Sequence, residues 1–279
     1  MRYTDAVAAA PPGNELFSVA DLGRLSRSVL ALALAPGPAA PPLEDLALAL
    51  GHDPALLGEV ARAQPDRSER LFRLAGRPVT GEARAEAGRR LVRGLFWWLV
   101  YELEPDRWLR LEASEPVHPE LLRELGGEGA RVLEVGAGGG RLTVALAGRA
   151  ATLVAVEPVA PLRAHLRRRT AGRAMVVAGA GQRLPIRSGW ADLTVSCAAF
   201  GPDPPLGGEP VLTEMNRCTR PGGVIALVGP EQPAWFRARG FESRDFDVSR
   251  LPARLPAGDL GAFFGPDLTP PHELLTRHR

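Results

Sequence analysis

The chain comprises 279 residues, 45% of them hydrophobic, enough to bury one substantial core and a second, smaller one. Its formal net charge is only +2, with acids and bases interspersed, so no field of the whole molecule points to nucleic acid or a membrane surface. All 34 basic residues are arginine, which in a chain rich in Ala, Gly and Pro fits coding bias better than phosphate recognition; the two cysteines, Cys197 and Cys218, form no CxxC pair and the five histidines show no metal-ligand spacing, so neither a disulfide framework nor a metal site is expected.

The first 13 residues read as a tail. They hold Asp5 and two prolines and lack a signal-peptide core, and no apolar run approaches the roughly 20 residues that span a bilayer, so a cytoplasmic protein is expected. From Asn14, a candidate cap, through residue 35, Leu16, Phe17, Val19, Leu22, Leu25, Val29 and Leu30 recur at helical spacing. Residues 43–51 and the stretch from Asp53 to Ala63 predict two short helices about a tight glycine turn, a helix-turn-helix shape. Residues 71–74 read as a strand, and a long helix is expected over 79–102. Phe96, Trp97, Trp98 and Tyr101 crowd its end, Trp108 follows Pro105, and residues 118–125 predict another short helix. A break at Glu115-Pro116 divides the chain into domains 1–115 and 116–279.

Residues 131–143 read RVLEVGAGGGRLT. A branched apolar run stops abruptly in glycine and restarts as a helix, which describes a strand, a turn whose backbone a ligand can touch, and a crossover helix. A dinucleotide fingerprint counted from Gly136 would need its third glycine at Arg141, and a phosphate-binding Walker loop needs a lysine that the chain lacks. What stands instead is Glu134-x-Gly136-x-Gly138-x-Gly140, which closely resembles the first motif of class I S-adenosylmethionine-dependent methyltransferases.

The alternation that follows is regular. Strands are expected at 151–156 (ending in Glu157), 174–178, 192–196 and 224–228, with helices at 158–169 and 209–220 and a Pro221-Gly222-Gly223 turn before the fifth strand. This predicts an α/β fold with a doubly wound, mainly parallel sheet. A last helix is expected near 231–239 and a sixth strand at 241–248. The seventh, antiparallel strand usual in the family is hard to place, with residues 260–264 as its candidate.

The resemblance covers about residues 118–248 and implies a Rossmann-like methyltransferase core with S-adenosylmethionine as cofactor. On that likeness the backbone of Gly136, Ala137, Gly138 and Gly140 lies against the methionine part, and Glu134 faces the ammonium group directly or through water. Glu157, followed by Pro158, matches the acid that holds the ribose hydroxyls. Gly181 and Gln182 meet the adenine edge, although Ala180 stands where family members carry an adenine-binding Asp. Ser196 and Cys197 lie beside the reactive methyl or pack beneath the cofactor, and the aromatics before the first strand either pack as core or lay one of their number, Tyr101 or Trp108, over it.

No residue presents itself clearly as a catalytic base; His118, Tyr101 and Asp203 are the candidates. Residues 43–90 resemble the winged-helix module that precedes the core of many small-molecule O-methyltransferases and builds a homodimer interface, while a plain helical bundle fits the same pattern. The expected activity is methyl transfer to a small-molecule acceptor, at oxygen or carbon, without nucleic acid or membrane partners. Alternatives are a cofactor-binding regulator that touches DNA, disfavoured by Glu59 and the single Arg62 on residues 54–63, and a non-catalytic scaffold, raised by Ala180. A nicotinamide-dependent enzyme is disfavoured by Arg141.

Overall fold

The computed structural model describes residues 16–36, 40–114, 117, 119–202, 207–230, 232–245, 255–256, 267–268 and 273–279. The chain divides into two compact units, the first ending at Pro105 and the second beginning at Asp106.

Every described element of the first unit is helical: 3-10 turns at Val19–Arg24 and Pro65–Arg67, then α1 (Arg27–Ala33), α2 (Leu43–Leu50), α3 (Pro54–Ala63), α4 (Ser68–Ala75), α5 (Gly81–Gly94) and α6 (Phe96–Leu103). The single helix expected to end at residue 35 is broken. Leu25 is extended, and the Ser26 hydroxyl accepts the Val29 N–H to start α1 afresh. Asn14 lies outside the described residues. The long helix expected over 79–102 divides at Leu95, whose φ of −104° and ψ of 9° interrupt it.

Residues 71–74 are helix rather than strand. Leu71 is buried while Phe72 is 49% exposed, and Arg73 reaches Glu69 one turn away at 2.6 Å, a contact only helical spacing permits. No strand occurs among the described residues of this unit, so they contain no wing.

The turn between α2 and α3 is as tight as the sequence suggests. A methyl group at Gly51 would lie 2.8 Å from the Ala47 carbonyl oxygen and 3.0 Å from that of Ala75, so only glycine fits. Asp53 then accepts the Leu56 N–H at 3.0 Å to cap α3. Asp53→Ala is expected to cost about 1 kcal/mol of stability, read as a lower urea midpoint with unchanged slope. Asp45 ties α2 to α5 through a two-pronged contact with Arg90, at 2.6 and 3.0 Å.

The boundary falls at the first residue of α7 (Pro105–Ser114), so the second unit opens with the rest of that helix and with α8 (Pro119–Leu125). Its strands are β1 (Arg131–Val135), β2 (Thr152–Glu157), β3 (Met175–Ala178), β4 (Ala191–Cys197), β5 (Thr219–Val228), β6 (Glu242–Arg244) and β7 (Leu274–His278). They form one sheet in the order β3-β2-β1-β4-β5-β7-β6. The first five run parallel, and β7 is antiparallel to both β5 and β6. A two-residue ladder, Leu255–Pro256 with Asp267–Leu268, stands apart.

Strands buried on both faces need helices on both faces. Leu133 and Val135 point into a core shared with α11 (Gly208–Cys218) and α12 (Pro233–Arg237), while Val132 points into the opposite core, with α8 and α9 (Arg141–Leu146). α10 (Ala160–Thr170) contributes Leu166 to a further cluster with Val176 of β3. The doubly wound, mainly parallel sheet is therefore present as the alternation predicts.

Three expectations for this unit need correction. Residues 221–223 do not form a separate turn; they are absorbed as an irregularity inside β5, between the pairings Ala191↔Thr219 and Leu193↔Val224. Asp192 stabilises that bend by holding Arg131 at 3.0 Å and Arg220 at 2.6 Å, and the two guanidiniums, Arg131 foremost, keep its carboxyl well below the usual range. The last helix and sixth strand are shorter than expected. The seventh strand is Leu274–His278 rather than residues 260–264, which lie outside the described residues.

Among the described residues no helix is long and apolar enough to cross a membrane.

Candidate active site

β1 ends in the turn Gly136–Gly140, with Gly136, Gly138 and Gly140 at φ of 74°, 56° and 96°. These left-handed values are what the alternate glycines supply. Every backbone N–H from Gly136 to Arg141 has an acceptor. Gly136 and Ala137 both donate to the Val156 carbonyl, and Gly140 donates to that of Ala137. Gly138 donates to Glu157 Oε2 at 2.9 Å, while Gly139 and Arg141 donate to the two oxygens of Glu112 at 2.8 and 2.7 Å.

Glu157, the last residue of β2, is 4% exposed, and its second oxygen accepts the Val159 N–H at 2.8 Å. Burial pushes its pKa up to about 7, against the Val159 and Gly138 amides and Arg163, which favour the ionised form. Arg163 also donates to the carbonyls of Glu157 and Pro158, fixing the chain between β2 and α10.

Glu134 is 1% exposed and accepts the Thr143 hydroxyl at 2.6 Å. Burial is again the main cause that raises it, here to about 8, and the charges of Glu112 and Glu157 push the same way. Three carboxylates thus converge on one short turn. Among the described residues no grouping of His, Cys, Asp and Glu is arranged to hold a metal ion.

Gly181 and Gln182 form the corner of a turn closed by the Arg183 N–H to the Ala180 carbonyl at 3.0 Å. A methyl group on Gly181 would meet Val211 at 2.9 Å and Val135 at 3.3 Å, so this corner packs beside the end of β1. The Ser196 hydroxyl donates to the Val135 carbonyl at 2.9 Å and is 2% exposed, tying β4 to the same strand end. Beside it Arg141 donates to Cys197 Sγ at 3.1 Å, and burial raises that thiol. Ala198 follows with a left-handed φ of 47°, and a methyl group on Gly136 would collide with the Ala199 side chain. The carboxyl ends of β1, β2 and β4 and the corner after β3 therefore meet around the glycine turn, the place where open parallel sheets bind ligands.

Residues 133–227 match the family model for a methyltransferase domain. A demethylmenaquinone methyltransferase of Parafrankia is 35% identical over 131 residues, 40% of this chain and 50% of that relative. A methyltransferase of Synechocystis, itself of unassigned activity, is 31% identical over 129 residues, 45% of this chain and 59% of its own length. The chain thus spans about half the length of the curated relatives it matches. A crystal structure of an S-adenosylmethionine-dependent methyltransferase from Aquifex aeolicus aligns over 63% of this chain and 97% of that one, at 14% identity and a TM-score of 0.44.

The second unit brings together Glu134, Gly136, Ala137, Gly138, Gly140, Glu157, Pro158, Gly181, Gln182 and Ser196 around the glycine turn. Of the aromatics, Trp108 belongs to this unit, with its ring nitrogen 3.7 Å from where a methyl group on Gly138 would sit. Tyr101 belongs to the first unit and stacks on Trp97 at 6.0 Å between ring centres. His118 and Asp203 lie outside the described residues. The unanticipated member is Glu112 of α7, 6% exposed. Its packing explains why the unit begins at Asp106 rather than after Glu115-Pro116. One signal for it existed in the sequence: Gly139, a glycine that the alternating motif does not require.

Proposed function

We propose that this chain transfers the methyl group of S-adenosylmethionine to a small-molecule acceptor, at oxygen or carbon. The observation that carries this reading is the occupied Gly138 amide on the glycine turn. The Gly138 N–H, which a dinucleotide pyrophosphate would draw on, already serves Glu157, a contact that stays in place when the cofactor binds in this reading. Three carboxyl groups about one turn offer acceptor oxygens to cations and hydroxyls, where a phosphate would need donors. S-adenosylmethionine has an ammonium and a sulfonium, and when bound supplies an already activated methyl group.

In this reading Glu157 accepts the ribose hydroxyls with the lone pairs its two backbone donors leave open. The turn backbone bounds the methionine part, Glu134 faces its ammonium, and Gly181 and Gln182 meet the adenine edge in place of the acid absent at Ala180. Alignment of the acceptor is the protein's chief contribution, worth roughly 7–11 kcal/mol where the geometry is well held. His118, Tyr101 and Asp203 are the candidate bases for an oxygen acceptor, a role that adds on the order of 10²–10⁴. The first unit, up to Pro105, is read as a substrate-capping or homodimerising domain.

Calorimetric titration with S-adenosylmethionine, S-adenosylhomocysteine and NAD tests the proposal. Micromolar binding of the first two and none of NAD is expected. No heat with S-adenosylmethionine at millimolar concentration would sink it.

A further inference from the structure

Gly139 is a glycine for a reason unlike that of its neighbours. Its backbone is not left-handed, so an alanine could adopt it. What forbids a side chain is α7: a methyl group on Gly139 would collide with Leu109 and with the Glu112 carboxylate. Trp108, Leu109 and Glu112 share one face of α7 at helical spacing, and that face lies on Gly138 and Gly139. Glu112 is bound to the turn through both oxygens, at 2.8 and 2.7 Å.

We propose that α7 is a strap over the glycine turn, latched by Glu112, and that the latched strap and the cofactor compete for that turn. The inference rests on the functional reading above, which places the methionine part of the cofactor against the same backbone. The latch has opposing contributions. Two charge-assisted hydrogen bonds hold it shut. The carboxylates of Glu134 and Glu157 oppose it, since each is pushed toward its neutral form by the Glu112 charge. A contact balanced in this way can be released by a ligand that gains more from the turn than Glu112 does.

Two variants open the strap by different means. Glu112→Ala removes the latch, and Gly139→Ala wedges the strap from below without backbone strain. In the absence of any ligand, backbone hydrogen exchange at Gly139 and Arg141 is expected to quicken at least tenfold in both. Saturating S-adenosylmethionine is expected to quicken exchange along residues 106–114 of the wild-type chain, and Glu112→Ala, which frees the turn without filling it, is expected to bind it several-fold more tightly by calorimetry. Reciprocity requires the two effects together.

Tighter binding in Glu112→Ala supports competition. Unchanged or weaker binding in Glu112→Ala, with exchange quickened and wild-type binding intact, overturns it and leaves Glu112 as a structural cap or a cofactor ligand. If exchange quickens but no form binds the cofactor, the functional reading fails, and competition fails with it. Exchange that does not change in Glu112→Ala would show that the carboxylate is no latch.

Discussion

Replacing Glu157 with alanine is expected to weaken S-adenosylmethionine binding by roughly tenfold to a hundredfold, the equivalent of one charge-assisted hydrogen-bonded contact of about 1.5–3 kcal/mol. The side chain is fixed before any ligand arrives, because Gly138 and Val159 each donate a backbone N–H to one of its oxygens. It therefore pays little ordering cost on binding. Its pKa, raised by burial to about 7, gives the experiment a second readout. Ribose hydroxyls donate best to the ionised carboxylate, so wild-type affinity should rise from pH 6 to pH 8. Glu157→Ala should lose that part of the pH dependence as well as the affinity. Glu157→Gln is the control for the loop, since it keeps one acceptor oxygen for a backbone amide but cannot ionise. Equal affinity in wild type and both variants would remove Glu157 from the site.

Much of the core was legible because its determinants are local. The glycine turn, the acid ending β2 and the strand–helix alternation each occupy a few consecutive residues whose spacing has one good structural solution. What was not legible depends on partners distant in the chain. β7 is a five-residue strand at the far end of a proline-rich stretch, and only its pairing with β5, from Val224↔His278 to Val228↔Leu274, makes it part of the sheet. Residues 71–74 hold too few residues to separate periods of two and 3.6, and it is the Glu69–Arg73 contact and the exposed Phe72 that decide for helix. Glu112 is the instructive case. A glutamate on an amphipathic helix reads as a solvated side chain, and nothing in its own neighbourhood says otherwise. Only the surplus Gly139, 27 positions later, records that something lies against the turn.

The Glu134 carboxyl should make stability depend on pH in a direction opposite to that of most acidic residues. Its folded-state pKa is raised from 4.5 to about 8, chiefly by burial. Between those values the folded chain holds a proton that the unfolded chain has released, so the folded state binds more protons and stability falls as pH rises through the window. Glu134→Gln keeps an oxygen to accept the Thr143 hydroxyl but never ionises, and so escapes the penalty. The variant and the wild type should have similar unfolding midpoints near pH 5. The variant should then gain steadily, reaching a lead on the order of 2–4 kcal/mol by pH 9, measured by urea unfolding across that range. Glu157 titrates in both proteins and largely cancels from the comparison, apart from the repulsion that Glu134 exerts on it when both are charged. A lead that is constant with pH would mean that Glu134 ionises normally in the folded protein. It would then stand at the glycine turn as a ready-made anion, and the cofactor's ammonium would meet a charge instead of having to draw one out by displacing a proton. The two cases separate in the calorimeter as well: a neutral Glu134 adds to the protons that Glu157 releases when the cationic cofactor binds at pH 7, and Glu134→Gln lacks that added release.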